Sequence, residues 1–317
     1  MKTVFIINPK AGQGKKSYKI KHEIYKAVLY SGADAEIYTT LDVGDGERYA
    51  RNYCRINGPA RFIAVGGDGT LNEVLNGAMG FDGAEVGVIP FGTGNDFCRN
   101  FEDRESFKDI LSQISGEGIP CDAIKYTTSI GGVDKTGYCV NMMNIGFDCN
   151  VADMTQDMKK KPFISGPFAY FISIFATLIK KKGADLTIQT DGETVHQGPL
   201  LLTSVANGSY CGGGIMSNPT ASVQDGFINI NIIKNVSRFK FITLLPFYMK
   251  GTFLKLRNID KIVTSKKCKR VTITPHTKGF RVSNDGEITE MGALELEIVH
   301  NAFRFVVPSK KGAPMMV

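Results

Sequence analysis

A chain of 317 residues, 43% of them apolar, suits one large globular domain or two ordinary ones and excludes wholesale disorder, leaving only residues 309–317 as a candidate disordered tail. The net charge of +7 favours anionic partners, whether nucleotide, nucleic acid or acidic membrane surface, without choosing among them. Seven cysteines, an odd number with no C-x-x-C pair, argue against a disulfide framework or a zinc site, and the four-residue apolar run before Asn8-Pro9 is too short for a signal peptide, so a cytoplasmic location is expected.

The first third alternates strand and helix. Residues 4–7 form a short β-rich run, residues 17–30 a helical stretch, 36–40 a strand and 47–55 a helix. Residues 62–65 form a strand that stops at Gly66-Gly67, a helix opens over 71–76, and the strand at 86–89 stops at Pro90. Strand, loop and helix in repetition predict an α/β domain with a parallel sheet covered on both faces, of three-layer type. Ligands in such sheets sit at the carboxyl ends of strands, where the glycine-rich loops fall.

From about Cys121 the texture changes. Short β-rich runs at 138–145, 186–189, 200–206, 227–233, 271–274 and 294–299 are separated by Gly, Asn and Asp, the pattern of an antiparallel sandwich or barrel. A boundary near 125 divides a domain of residues 1–125 from a β-sandwich domain of residues 126–299, with residues 300–317, including a strand at 303–307, packing back on the first. Residues 163–179 are mostly apolar and precede three lysines, but Gly166, Pro167 and two serines interrupt them. They fall short of the ~20 apolar residues of a membrane span and read as a buried or partly exposed amphipathic helix. Residues 238–257 mix Lys and Arg with Phe239, Phe241, Phe247, Tyr248 and Phe253. That mixture fits a membrane-contact helix or a core helix with a basic outer face, and the core reading takes precedence.

Chemistry concentrates in four places. Gly66-Gly67-Asp68-Gly69-Thr70-Leu71-Asn72-Glu73 places three glycines and a carboxylate between a strand and a helix. Glycine lets a phosphate approach the backbone, and the helix that follows offers N–H groups and a positive dipole end. A carboxylate beside phosphate oxygens makes sense as a ligand of magnesium or its water. Pro90-Phe91-Gly92-Thr93-Gly94-Asn95-Asp96-Phe97 repeats this logic at the next strand end. Asn8-Pro9-Lys10-Ala11-Gly12 ends the first strand. Gly14-Lys15-Lys16-Ser17 only mimics a P-loop, which needs Ser or Thr directly after G-K and a Gly five residues earlier; Lys15 and Lys16 read as surface charge. Asn284-Asp285-Gly286-Glu287, by itself, is a hairpin turn. The four histidines are scattered without metal-ligand spacing, and a DNA-binding reading has charge alone behind it.

These motifs resemble the diacylglycerol-kinase catalytic-domain superfamily, which includes soluble bacterial lipid kinases and the sphingosine and ceramide kinases. N-P-x-x-G at 8–12, G-G-D-G-T at 66–70, P-x-G-T-G-N-D-F at 90–97 and D-G-E at 285–287 follow in the family's order across almost the whole chain. G-G-D-G-T is shared with NAD kinases and is similar in phosphofructokinases; the Asn95-Asp96-Phe97 block and the late D-G-E specify the lipid-kinase branch. The resemblance implies an ATP-dependent lipid kinase with ATP and Mg2+, a membrane lipid as acceptor and diacylglycerol as the default. It further implies peripheral contact with the anionic inner face of the membrane and no nucleic acid. Similar bacterial enzymes can be homodimers. Asn8, Gly12, Gly66, Gly67, Asp68, Gly69, Thr70, Asn72 and Glu73 would line the nucleotide, with Thr40, Gly92, Thr93, Gly94 and Asn95. Asp68 and Asp96 would hold the catalytic magnesium, partly through water, and Asp285 would be the general base with Glu287 in its network. A structural magnesium would use Ser222, Asp225 and the carbonyl of Phe227; the family often has a carboxylate where Ser222 stands, and its loss weakens such a site. A kinase of a soluble acceptor such as NAD, and a non-catalytic nucleotide- or lipid-binding protein, are the alternatives.

Overall fold

The computed structural model describes residues 1–11, 17–92, 94–147 and 183–308. Gly12, Lys15, Lys16, Thr93, the 163–179 stretch and the tail from 309 lie outside them. In chain order the main elements are β1 (Thr3–Ile7), α1 (Ser17–Ser31), β2 (Ala35–Thr39), α2 (Asp45–Asn57), β3 (Arg61–Gly66), α3 (Asp68–Ala78), β4 (Glu85–Pro90) and α4 (Ile110–Ser115). Then come β5 (Glu117–Ile130), β6 (Val133–Cys139), β7 (Met142–Gly146), β8 (Ala184–Thr190), β9 (Glu193–Ala206), β10 (Ile228–Lys234) and α5 (Arg238–Met249). The chain continues through β11 (Val263–Cys268), β12 (Arg270–Pro275), β13 (Arg281–Asn284), β14 (Glu287–Glu290) and β15 (Leu294–Val307). They fall into two compact units: Met1–Cys121 with the chain from Asn301 on, and Asp122–His300.

In the first unit β2, β1, β3 and β4 lie side by side in that order, every pair parallel. The end of β15 adds another parallel strand, Arg304 opposite Glu85 and Phe305 opposite Val86. β1 reads TVFII and is buried at every position, as a strand covered on both faces must be. Phe5, Ile7, Ile63 and Val65 pack against Ile20 and Ile24 of α1 and Ile110 of α4. Phe305, fully buried, stands edge-on to Phe97 at 4.8 Å and stacks on Phe101 at 5.1 Å. The strand that closes the sheet therefore also backs the loop ending at Phe97.

The second unit is antiparallel. β9 pairs with β8 along its first half and with β7 and β10 along its second. This hand-over lets one long strand serve two layers, a recognised way to turn the corner of a sandwich. Ile228, Ile230 and Ile232 of β10 face the common core with Met143, Ile145 and Val205. β13 and β14 form a two-residue hairpin in which Asn284 faces Glu287, and both turn residues, Asp285 and Gly286, have positive φ.

Helix α5 corrects one expectation. It is capped by the Ser237 hydroxyl, which accepts from the Lys240 amide, and buries Phe241 and Tyr248. Its outer side, expected to be basic, exposes Arg238, Lys240 and Lys250 and also leaves Phe239 79%, Ile242 45% and Phe247 41% exposed. The 3.6-residue period explains this, because Phe239 and Phe241 are two positions apart and cannot share a face.

Phe305→Ala should cost about 3–5 kcal/mol of stability in urea denaturation, the range for emptying a buried aromatic site.

Candidate functional site

Three strand ends of the first unit meet. Asn8, after β1, donates its side-chain amide to the Thr70 hydroxyl at 3.1 Å and accepts from the Lys10 amide at 2.9 Å. Gly67, after β3, lies against Gly92, after β4: a Cβ on Gly92 would stand 2.6 Å from the Gly67 Cα. Only glycine at both positions allows that approach. The Phe91 amide donates to the Gly66 carbonyl at 2.7 Å, so the β3–β4 ladder continues into the loops. Asn95, at positive φ, closes its own turn by accepting from the Gly92 amide at 3.1 Å and donating to the Gly92 carbonyl at 2.8 Å.

Asp68 is the first residue of α3, where the helix dipole favours an anion. Its Oδ1 accepts from the Asp96 amide at 2.7 Å and, more weakly, from the Phe97 amide at 3.4 Å. Asp96 is in turn ion-paired with Arg99, Oδ1 to Nε 3.3 Å. An ideal Cβ on Gly94 would stand 2.7 Å from Asp68 Oδ2 and 3.3 Å from Asp96 Oδ2. The missing side chain leaves a small cradle flanked by two hard oxygens. Magnesium bound through one or two carboxylates, with water and phosphate completing its shell, suits that donor set. No group of three or more His, Cys, Asp or Glu poised for a metal occurs among the described residues, and this mode of binding needs none.

Two expected nucleotide contacts have other tasks. The Glu73 carboxylate accepts from the Gly44 amide at 2.8 Å and the Gly46 amide at 3.1 Å, fastening α3 to the start of α2. Thr40 is buried, its hydroxyl facing the Ile7 carbonyl at 3.4 Å. Asn72, on α3, accepts from the Asn76 side chain at 3.0 and 3.2 Å. Gly69 lies in the first turn of α3, half-buried.

In the second unit Asp285 is encased by donors. Its Oδ1 accepts from the amides of Asn141 at 3.0 Å and Met142 at 2.8 Å, and from the Cys139 thiol at 3.3 Å. Its Oδ2 accepts from the Val140 amide at 2.8 Å. A carboxylate has about four lone-pair directions, so residues 139–142 engage it heavily. Burial, and then the neighbouring Asp285 charge, push the Cys139 thiol well above its ordinary value. Glu287, directly after the turn, is exposed. Sequence reasoning had no signal for this nest, since the donors are main-chain groups some 145 residues away.

The proposed structural-magnesium set does not fit a divalent cation. Asp225 Oδ1 accepts from the Phe227 amide at 3.1 Å and Oδ2 is ion-paired with the Lys267 ammonium at 2.5 Å. Ser222 is exposed and brings no charge. Nearby, buried Asp122 accepts from the Gly226 amide and from His300 Nδ1, both at 2.7 Å. A lysine thus neutralises the one acid of the set, where a hard cation would want several anionic oxygens.

Comparison with known proteins bears on these sites. Residues 2–126 match the family model of the diacylglycerol kinase catalytic domain, and residues 141–307 match that of the YegS C-terminal, NAD kinase β-sandwich-like domain. The chain is 27% identical over 312 residues to a diacylglycerol kinase of Bacillus subtilis, covering 96% of each protein. A crystal structure of a diacylglycerol kinase from Bacillus anthracis shares the fold with a TM-score of 0.69 at 21% identity, covering 98% of this chain and 97% of that one. Yeast NADH kinase in complex with NADH shares it more distantly, with a TM-score of 0.52 at 12% identity over 98% of this chain and 84% of that one.

Asp285→Asn should lose about 1–3 kcal/mol in urea denaturation, because an amide –NH2 would face main-chain N–H donors that need an acceptor. Lys267→Ala should cost at most about 1 kcal/mol, as its partner pair is partly exposed. Without nucleotide, wild-type thermal melting should be alike in EDTA and in excess Mg2+, whereas the Lys267→Ala protein should become Mg2+-sensitive. A wild-type melt that falls on chelation would restore the structural metal.

Proposed function

The chain belongs to the family that joins a diacylglycerol kinase catalytic domain, matched over residues 2–126, to a YegS C-terminal β-sandwich-like domain, matched over residues 141–307, and from that premise we propose that it is an ATP-dependent lipid kinase, with diacylglycerol as acceptor and phosphatidic acid as product. The observation that supports this most is the pair of glycine loops held backbone to backbone, with Asp68 and Asp96 flanking the Gly94 cradle. Phosphoryl transfer is chiefly a matter of positioning and charge neutralisation, and those parts supply both. Glycine-loop amides and the start of α3 receive phosphate oxygens. Asp68 and Asp96 hold the cation, with Asn8 and Thr70 steadying the loop from β1. Magnesium, when bound, offsets the charge that builds on the phosphate oxygens during transfer.

Asp285 is the proposed base for the lipid hydroxyl, with Glu287 beside it. The hydroxyl proton becomes acidic only late in transfer, so a carboxylate can accept it then. Three main-chain N–H groups already hold that carboxylate, so in the state described it is a positioning group for residues 139–142. Among the described residues no helix is long and apolar enough to cross a membrane. The proposal has the enzyme meeting its lipid at the surface of an anionic bilayer, in keeping with the net charge of +7.

Incubation with radiolabelled ATP, Mg2+ and a panel of extracted lipids and soluble metabolites tests the proposal. Label should enter the chloroform phase, with the product identified by mass spectrometry; label confined to a water-soluble product would transfer the assignment to an acceptor such as NAD. Asp68→Asn should lower turnover by about 100-fold or more, and Gly94→Ala, whose methyl fills the cradle, by a similar factor. Near-normal turnover in Asp68→Asn, with an unchanged melting curve, sinks the role given to that carboxylate.

A further inference from the structure

Helix α5 has two apolar sides. Phe241 and Tyr248 are buried with Phe147, Ile233, Phe253 and Val263 in one cluster. Phe239, Ile242, Pro246 and Phe247 remain exposed. Their spacing of three, four and one residues puts them on one helix face, with Thr243 among them. Burial of such a face against the rest of the unit is already satisfied by the opposite side.

The charge around this face is one-sided. Residues 234–261 contain Lys234, Arg238, Lys240, Lys250, Lys255, Arg257 and Lys261 against a single acid, Asp260. Seven basic residues and one acidic residue account for nearly all of the chain's +7 excess. Each of these basic side chains is exposed. Pro246 stands inside the helix on the exposed side, where it can neither donate to the ladder nor extend an aggregating edge.

Exposed aromatic rings set among lysines and arginines suit one environment in particular. Rings and aliphatic groups enter the boundary between headgroup and acyl chain, while ammonium and guanidinium groups pair with anionic headgroups. We infer that the outer face of α5, flanked by its basic collar, is the surface by which this protein docks on an anionic bilayer. The inference deepens the lipid-kinase reading and rests on it for its biological sense. The contact geometry stands apart from it, because binding needs neither ATP nor turnover. A second copy of the chain is the weaker occupant, since two such collars would repel each other.

Co-sedimentation with phosphatidylcholine vesicles, with and without a phosphatidylglycerol fraction, tests it on the full chain. Wild type should sediment with the anionic vesicles and stay in solution with the neutral ones, and added salt should release it. Phe239→Ser with Phe247→Ser should weaken the anionic-vesicle affinity on the order of tenfold, and Lys240→Glu with Lys250→Glu by a similar factor. Both pairs are exposed, so thermal melts should overlay wild type. Unchanged vesicle affinity in both double variants overturns the inference. Concentration-dependent dimers that the Phe→Ser pair abolishes would also overturn it, in favour of a second copy. Wild type that binds vesicles yet phosphorylates no lipid in neutral detergent micelles overturns the kinase reading alone. Wild type that phosphorylates micellar lipid yet ignores anionic vesicles overturns the docking surface alone.

Discussion

The Asp68 carboxylate does two things that pull on the same atoms. Its Oδ1 takes the Asp96 amide at 2.7 Å, tying the loop after β4 to the start of α3, and its Oδ2 turns toward the space that Gly94 leaves open. The loop-to-loop approach at Gly67 and Gly92 rests on the absence of a side chain at both positions, and the carboxylate adds a second tie between the same two loops. The place of the second carboxylate is set by that bond together with the Arg99 ion pair. The arrangement is also economical in charge. Arg99 offsets Asp96, and the helix start offsets Asp68, so two acids can share one small site before any cation arrives.

The second unit treats its acids differently. Asp285 is bound by the backbone it organises, and Asp225 by a lysine, so neither stands ready as an unencumbered anion. An acid that orders four consecutive residues is a structural element first.

Much of this was legible from residue patterns. The alternation of short apolar strands with helical stretches up to Ile89 marks a parallel sheet, and the glycine loops point to its carboxyl edge. The antiparallel character after Cys121 follows from short β-rich runs split by turn residues. Asn8, Asp68 and Asp96 come together because loop chemistry is local and strand order is constrained. What stayed hidden was non-local. Glu73 spends its carboxylate on Gly44 and Gly46, which no spacing rule reveals. Lys267 reaches Asp225 across 42 residues of sequence. His300, one of four scattered histidines, pairs with Asp122 across 178. The apolar part of the outer face of α5 was not foreseen, because apolar content predicts burial without saying how many sides of a helix have neighbours.

The ring of Phe305 belongs to the second half of β15, whose first half, Leu294 to Glu297, pairs with β12 inside the second unit. A ribosome releases the chain in order, so the first unit must wait, through the synthesis of residues 122–300, for the segment that completes its sheet and backs Phe97. During that interval the sandwich can mature on its own while the glycine loops lack their rear wall. Completion of the first sheet, and of the wall behind Phe97, is thus a late event in the protein's biogenesis, and damage confined to residues 303–307 would be felt at the loop ending in Phe97 before it was felt in the sandwich.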